Sequence, residues 1–544
     1  MSLNRSYDRV PSFLGGMDAF NYPADLKPNQ SQLLQNMIVM DNGRAVTRPG
    51  ADQIDSTPGT FAPRVVPNGP VQGLVFLDSL SAGQNILMGQ GGQLYKWNGA
   101  TWSFPLAFTL TSTTAQFAAV QGVDKMLISD GVKHMQLWDG SNFADCGAPG
   151  NTNAPVGATI LAYIAGMYVA AGPGMVAGNG STIYPPDTLF FSNYLDGTSG
   201  HWNINQSFRV GNGDGESIVA LTPVQSTAST YPIYNLAVLK ENSVWIVNLQ
   251  PGAYASFGAM FAALTANPQG DQIGTGVGCV GRNAWCLFQN DLMFMSQDGV
   301  QSLQRMEASA SQYQLTAPLS TPIQPYIDRI NWSMAFNIQA IKYRQLAIFF
   351  VPLDDSIVNN YALVWNGRIN QWMIWTGWTP DSVCVTRLNK GIQLVVGNGD
   401  GTVNQWKDAQ NLYGLDNTYL DNNAPIPWQI NTRALVFGSL DFQKKLRAAL
   451  VRFNSGHATV NFKAFLDLAD DDDWSQMVSG GGAVLPVLLP FALASNKPTP
   501  VYRSLEGLPY CNEFYLQISG TGGWVDVRGL VASAYLKNLR DPNA

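Results

Sequence analysis

The sequence predicts an all-β chain: a β-propeller of six or seven blades, preceded by an N-terminal arm and followed by a C-terminal β-sandwich. Three observations carry that reading. Charged residues make up only 13% of the 544, while 53 glycines and 31 prolines make the chain turn-rich, a composition suited to many short strands. A hairpin built on Trp-Asn-Gly or Trp-Asp-Gly occurs at Trp97, Trp138 and Trp365. Trp97 and Trp138 stand 41 residues apart, as do Trp365 and Trp406, which is about the length of one four-stranded propeller blade.

The hairpins come first because they fix the strands. Asn-Gly and Asp-Gly supply the positive φ that a tight hairpin turn requires. The return strands carry Trp102, Phe143 and Trp372, so an aromatic pair across the two strands is expected in each. The same strand and turn texture gives candidate blade blocks at Val71 to Phe104, Phe117 to Phe143, Thr159 to Trp202, Ile218 to Asn248, Val277 to Leu303, Met334 to Trp375 and Val383 to Trp406. A stack of sandwiches would show similar short strands. The common repeat signatures do not separate the two, since no Gly-His precedes Trp138-Asp139 in its block and no sialidase-type box occurs.

The flanks differ from this middle. Residues 1–65 hold six prolines, at 11, 23, 28, 49, 58 and 63, and read as an extended arm docked on the body or on a neighbour. The propeller is expected over 66–412. From Tyr413 to Pro427 the chain is rich in Asn, Asp and Pro and reads as a linker. Beyond it, Trp428 to Phe437, Leu446 to Phe453, Thr459 to Leu466, Glu513 to Ser519 and Gly523 to Leu536 alternate as strands, placing a small sandwich in 413–544.

Composition and motifs bound the chemistry. Lys and Arg number 31 against 38 Asp and Glu, a net charge of -7, which disfavours a basic face that grips nucleic acid. Five cysteines (146, 279, 286, 384, 511) and three histidines (134, 201, 457) are scattered without a Cys-x-x-Cys or His-x-x-x-His, so buried free thiols are expected rather than a disulfide framework or zinc site. No Gly-Lys-Ser/Thr phosphate loop and no Gly-x-Ser-x-Gly elbow occurs. Gly211-Asn212-Gly213-Asp214-Gly215 recurs at 397–401. It lacks the carboxylates of a calcium loop and reads as a hairpin turn. The polar start Met1-Ser2-Leu3-Asn4-Arg5 predicts no secretory signal, and the apolar stretches 253–266 and 483–494 are too short or too broken by proline to span a bilayer.

Two segments invite a functional reading beside a plain one. Tyr254, Phe257, Met260, Phe261 and Leu264 fall at roughly helical spacing. They would ordinarily pack on the protein itself or on a sister subunit, and are also candidates for a gate or membrane-touching tip. Asp470, Asp471, Asp472 and Asp473 form a run of like charges, ordinarily a solvated loop. Facing a channel, they would keep a polyanion from sticking to its wall. Stretch 483–494, after three glycines, is weighed in the same way.

At the N-terminus, Gly15-Gly16-Met17-Asp18, then Asn29 to Met37, then Asn42-Gly43-Arg44-Ala45-Val46-Thr47-Arg48-Pro49-Gly50 resembles the opening of short-tailed bacteriophage tail nozzle proteins of the tail tubular protein B type. Asn42-Gly43 would turn a hairpin between Met37 to Met40 and Ala45 to Thr47, and Pro49-Gly50 would stop its second strand. Phe191 to Tyr194, Ser243 to Val247 and Leu292 to Val300 are similar to the same family, which has no pattern for Tyr254 to Leu264 or for 483–494. The resemblance implies a virion protein of the tail with no catalytic residue and no cofactor. It would form a homo-oligomeric ring, commonly a hexamer, contacting the adaptor protein and tail fibres, with DNA passing without specific binding. The rival readings are a receptor- or glycan-binding propeller of a tail fibre, marked by Trp and Tyr clusters exposed on one face, and a hydrolase with convergent carboxylates at the propeller mouth.

Overall fold

In the computed structural model, the described residues are 5–54, 69–99, 102–103, 106–147, 153–178, 182–193, 202–211, 214–225, 235–249, 257–266, 270–310, 317–388, 391–407, 419–455, 459–467, 474–479, 499–505 and 508–538. Strands pair with their sequence neighbours into successive antiparallel sheets. Blades 1 to 4 each have four strands, over 71–103, 118–145, 160–209 and 218–275. Blade 5 has three described strands, over 285–302, followed by the helix Leu303–Ala310. Blade 6 spans 339–376 and blade 7 begins at 380. The innermost strands meet in sequence from blade 5 through 6, 7, 1, 2 and 3 to 4. Blades 4 and 5 share one core and a backbone bond from Cys279 N to Lys240 O of 2.9 Å. The architecture is a seven-bladed β-propeller.

The aromatic hairpins form as the turn chemistry requires. Trp97 pairs with Trp102, Trp138 with Phe143 and Trp365 with Trp372 across adjacent strands, with ring centroids 5.2, 6.1 and 5.2 Å apart. Gly99 and Gly140 take φ of 96° and 94°, open to glycine without steric cost, whereas in the third hairpin the left-handed position falls not on Gly367 but on Asn370, at φ 54°, which asparagine tolerates. Trp97, Trp138, Trp365 and Trp406 all lie at or one residue from the end of the third strand of their blades. The 41-residue spacing is therefore the blade repeat itself.

Closure of the ring comes from the N-terminal region. The strand Ala51–Gln53 pairs with Val403–Trp406 as the outermost strand of blade 7, and Lys407 Nζ lies 2.8 Å from Asp52. Seven blades are thus fastened by one sheet made from both ends of the propeller sequence.

The remaining strands make the sandwich. One sheet carries Pro427–Thr432, Phe514–Thr521, Thr459–Leu466 and Trp474–Ser479 in that order. The facing sheet carries Ala45–Thr47, Val525–Asn538, Phe442–Ser455 and Thr499–Ser504. Phe514–Thr521 alternates buried and half-exposed residues along its length, as a strand with one face on a core must, and Phe453 meets Phe462 at 5.8 Å across the layers.

Residues 5–53 dock on the body as strands of its sheets. Arg5–Val10 pairs with Val525–Asn538, Ser31–Gln35 with Pro427–Thr432, and the hairpin Met37–Val39/Ala45–Thr47 with Val525–Asn538. Ser31–Gln35 also touches blade 6 in parallel through Gln35 and Ile374, so a single nine-stranded sheet runs from propeller into sandwich. The described part of the expected linker is likewise built in, with Tyr419 and Ile426 buried. Backbone donors here are satisfied by distant strands rather than by water.

Candidate functional site

Three residues within the N-terminal resemblance, Asn36, Arg48 and Gly50, meet at one buried junction. Asn36 sits at φ 55°, the left-handed region that asparagine tolerates. Its side chain donates to Thr376 Oγ1 (3.0 Å) and Pro427 O (2.6 Å), and accepts from Thr376 N (2.8 Å) and Arg48 Nε (3.0 Å). Arg48, fully buried, also donates to Thr376 O (2.8 Å), Pro49 O (3.1 Å) and both Asp421 oxygens (2.6 and 3.2 Å), and stacks 4.4 Å over Trp378. Thr376 ends blade 6, while Asp421 and Pro427 lead into the sandwich. A forked guanidinium paired with a carboxylate holds fixed geometry, so the junction orients one body on the other. Gly50 completes it, since a Cβ there would lie 2.0 Å from Leu420 O.

The propeller axis is a second assembly. A cavity of about 490 Å³ is lined by the starts of the innermost strands of blades 1 to 3 and 5 to 7, and by Leu221 of blade 4. Arg282 crosses it, donating to Thr159 O (3.3 Å), Gln116 Oε1 (3.2 Å) and Phe117 O (3.5 Å). Gln116 in turn donates to Asp381 O at 2.7 Å, so blades 2, 3, 5 and 7 are laced together across the axis. Desolvation pulls the Arg282 guanidinium down to about 10, although the residue keeps some exposure through the mouth. At the blade 7 hairpin next to Gly399, burial and the neighbouring Asp400 push the Asp381 carboxyl up to about 6. Neither Arg282 nor Gln116 carries a sequence motif. Their common position just before an innermost strand emerges only once the blade register is known.

The segment singled out as a candidate gate lies within blade 4 rather than between blades. Helix Phe257–Ala266 interrupts its third and fourth strands. Met260 and Phe261 are buried in the core shared by blades 3 and 4, with Phe261 5.1 Å from Phe191. Those two side chains are core, not an exposed tip, because apolar surface at this spacing finds a partner in the adjacent blade. Phe257 and Leu264 belong to the same helix, and Tyr254 lies outside the described residues, as do Asp470, Asp471, Asp472 and Asp473 and the stretch 483–494.

The repeated Gly-Asn-Gly-Asp-Gly has two outcomes. Residues 397–401 turn a hairpin closed by Asn398 N to Thr402 O at 2.8 Å. In the other copy, Asp214 accepts from the buried Lys240 at 2.5 Å and borders a cavity of about 530 Å³ with Glu216 and Trp245. Both carboxylates are already engaged by the chain, Glu216 by Ser243 at 2.6 Å. Among the described residues no group of three His, Cys, Asp or Glu could hold a metal, and no helix is long and apolar enough to cross a membrane. All five cysteines are buried.

No protein-family model and no curated protein matches the chain. Among solved structures it is similar to the Pan2 WD40 domain of Neurospora crassa, at 10% identity and a TM-score of 0.37 over 68% of this chain and 96% of that one. The WD40 propeller domain of Doa1 gives 9% and 0.34 over 64% and 95%, and the computationally designed Ika8 protein 11% and 0.34 over 63% and 98%. At these values the likeness says nothing of function, and the propeller rests on the strand pairing described above.

Proposed function

We propose that this chain is a structural virion protein, the tail nozzle of a short-tailed bacteriophage, assembled as a ring through which genomic DNA is retained and then released. The observation that carries the reading is the junction: Asn36, Arg48 and Gly50, all within the stretches that resemble nozzle proteins, help tie propeller to sandwich just before the strand that closes blade 7. A resemblance in loops with no common task would be weak support; one that includes members of a buried bonding network is stronger.

The axis bears on how such a ring would work. A cavity of about 490 Å³ crossed by Arg282 has the size of a small-molecule pocket, so duplex DNA would not thread one propeller. The conduit would run between copies, around a shared axis, as heterologous contacts close a ring. Adaptor and fibres would dock on its rims. A net charge of -7 suits a wall that DNA slides past. The fibre reading is less well supported, because the large exposed aromatics among the described residues are Tyr7, Phe20, Tyr22, Phe336 and Tyr510, with no cluster of Trp on a propeller face.

The test is genetic. Particles made without this chain should fill with DNA, then lose it and fail to infect. Full infectivity without the chain would overturn the proposal.

A further inference from the structure

The axial cavity has a charge balance unlike that of the whole protein. Two charged residues line it, Arg282 and Lys342, both cationic, and no Asp or Glu does, in a chain whose net charge is -7. Three other buried cations hold a carboxylate, Arg48 with Asp421 at 2.6 Å, Lys240 with Asp214 at 2.5 Å and Arg433 with Asp8 at 2.5 Å, while the buried Lys444 is held by the carbonyls of Ser439 and Asn512 at 2.5 Å each. Arg282 meets three neutral acceptors at 3.2 to 3.5 Å, the long end of hydrogen bonding. A guanidinium has five N–H donors, so capacity for a ligand remains. Enclosing a cation without an anion costs free energy that a bound anion would offset.

The walls describe the rest of the ligand. Leu74, Ile160, Leu161, Leu221 and Ile341 supply apolar surface, and Trp285 a flat one. Trp285 is fixed by its own bond from Nε1 to Arg282 O at 2.8 Å. Polar side chains, Gln72, Gln116, Asn283 and Gln339 among them, share the lining with this apolar surface, so a ligand with both a polar head and an apolar body suits it.

We propose that the propeller axis binds a small organic anion, with its oxyanion head, carboxylate or phosphate, on Arg282 and its apolar body between the innermost strands. Lys342, exposed on the innermost strand of blade 6, adds attraction along the cavity. This inference is independent of the virion reading, since it concerns a single copy of the chain.

The experiment is calorimetric titration of the full chain with phenyl phosphate, benzoate and inorganic phosphate as probes. Saturable binding of at least one probe at one site per chain is expected. Arg282→Gln should weaken it about tenfold or more, the loss of charge-assisted hydrogen bonds, and Lys342→Ala severalfold. If Arg282→Gln does not fold, as judged by circular dichroism, Lys342→Ala carries the test, because an exposed side chain can be removed without disturbing the core. Phenyl phosphate binding more tightly than inorganic phosphate would support use of the apolar walls. Absence of saturable binding by all three at millimolar concentration would overturn the proposal, as would binding unchanged in the variants.

Discussion

Arg48 and Asp421 form a bidentate ion pair, at 2.6 and 3.2 Å, between residues 373 positions apart in the chain. The guanidinium is fully buried and the carboxylate mostly so, at 17% exposure. Through this pair the N-terminal strands, the last strand of blade 6 and the entry to the sandwich are joined at one point. Removing one partner of such a pair leaves a buried charge uncompensated. Arg48→Ala should therefore destabilise the chain by about 3–5 kcal/mol, read by denaturant unfolding. Asp421→Ala should cost less in the Arg48→Ala background than alone, which a double-mutant cycle will show.

Gly50 tests the same junction sterically. A Cβ would meet the Leu420 carbonyl oxygen at 2.0 Å, and both partners are backbone, so neither can step aside. Gly50→Ala should cost about 1–3 kcal/mol, the usual penalty of overpacking, whereas Gly83→Ala, with open space around its Cβ, should cost only the strain of its positive φ. Melting temperatures of the two variants give the comparison.

Phe261 separates core from gate. Being buried against Phe191, it should lose about 3–5 kcal/mol on truncation to Ala. Unfolding of the purified variant is the measurement, and a loss below about 1 kcal/mol would contradict the core assignment.

Much of this fold was legible because local chemistry dictates it. Asn-Gly and Asp-Gly turns with flanking aromatics specify a hairpin within ten residues, and Trp at the end of the third strand in blades 1, 2, 6 and 7 marks the blade length. Four of the five sandwich strands expected from alternation form within a few residues of their expected ends, and the fifth, Trp428 to Phe437, stops at Thr432. What local reading missed is long-range. Nothing near Ala51 announces that its partner is Trp406, or near Ser31 that it will join Pro427–Thr432. Blade 4 looked complete at Asn248 because a helix separates its last strand, Gly270–Thr275, from the rest. Arg282 and Gln116 were invisible for the same reason: a side chain joins the axis only when seven strands surround it.

Asp381 gives a pH signature. Burial and Asp400 raise its carboxyl from 3.8 to about 6, so between those values the folded state binds more protons than the unfolded state. Stability contributed by this group therefore falls as pH rises through that window, and the penalty is fully present above it. Asp381→Asn should stabilise the chain above about pH 6 and leave it unchanged below about pH 4. Subtracting the two unfolding curves measured across pH isolates the effect.

The thiols should be silent. Burial pushes Cys279, Cys286 and Cys384 up to about 12, and the thiolate is the reactive form. Ellman's reagent at pH 8 should find no fast-reacting thiol in the native chain and five in denaturant.

Antibody labelling of intact particles from the source, viewed by negative stain, tests the central claim most directly. Label confined to the tail, below the head, is the predicted result. Particles without label on the tail would contradict the nozzle assignment.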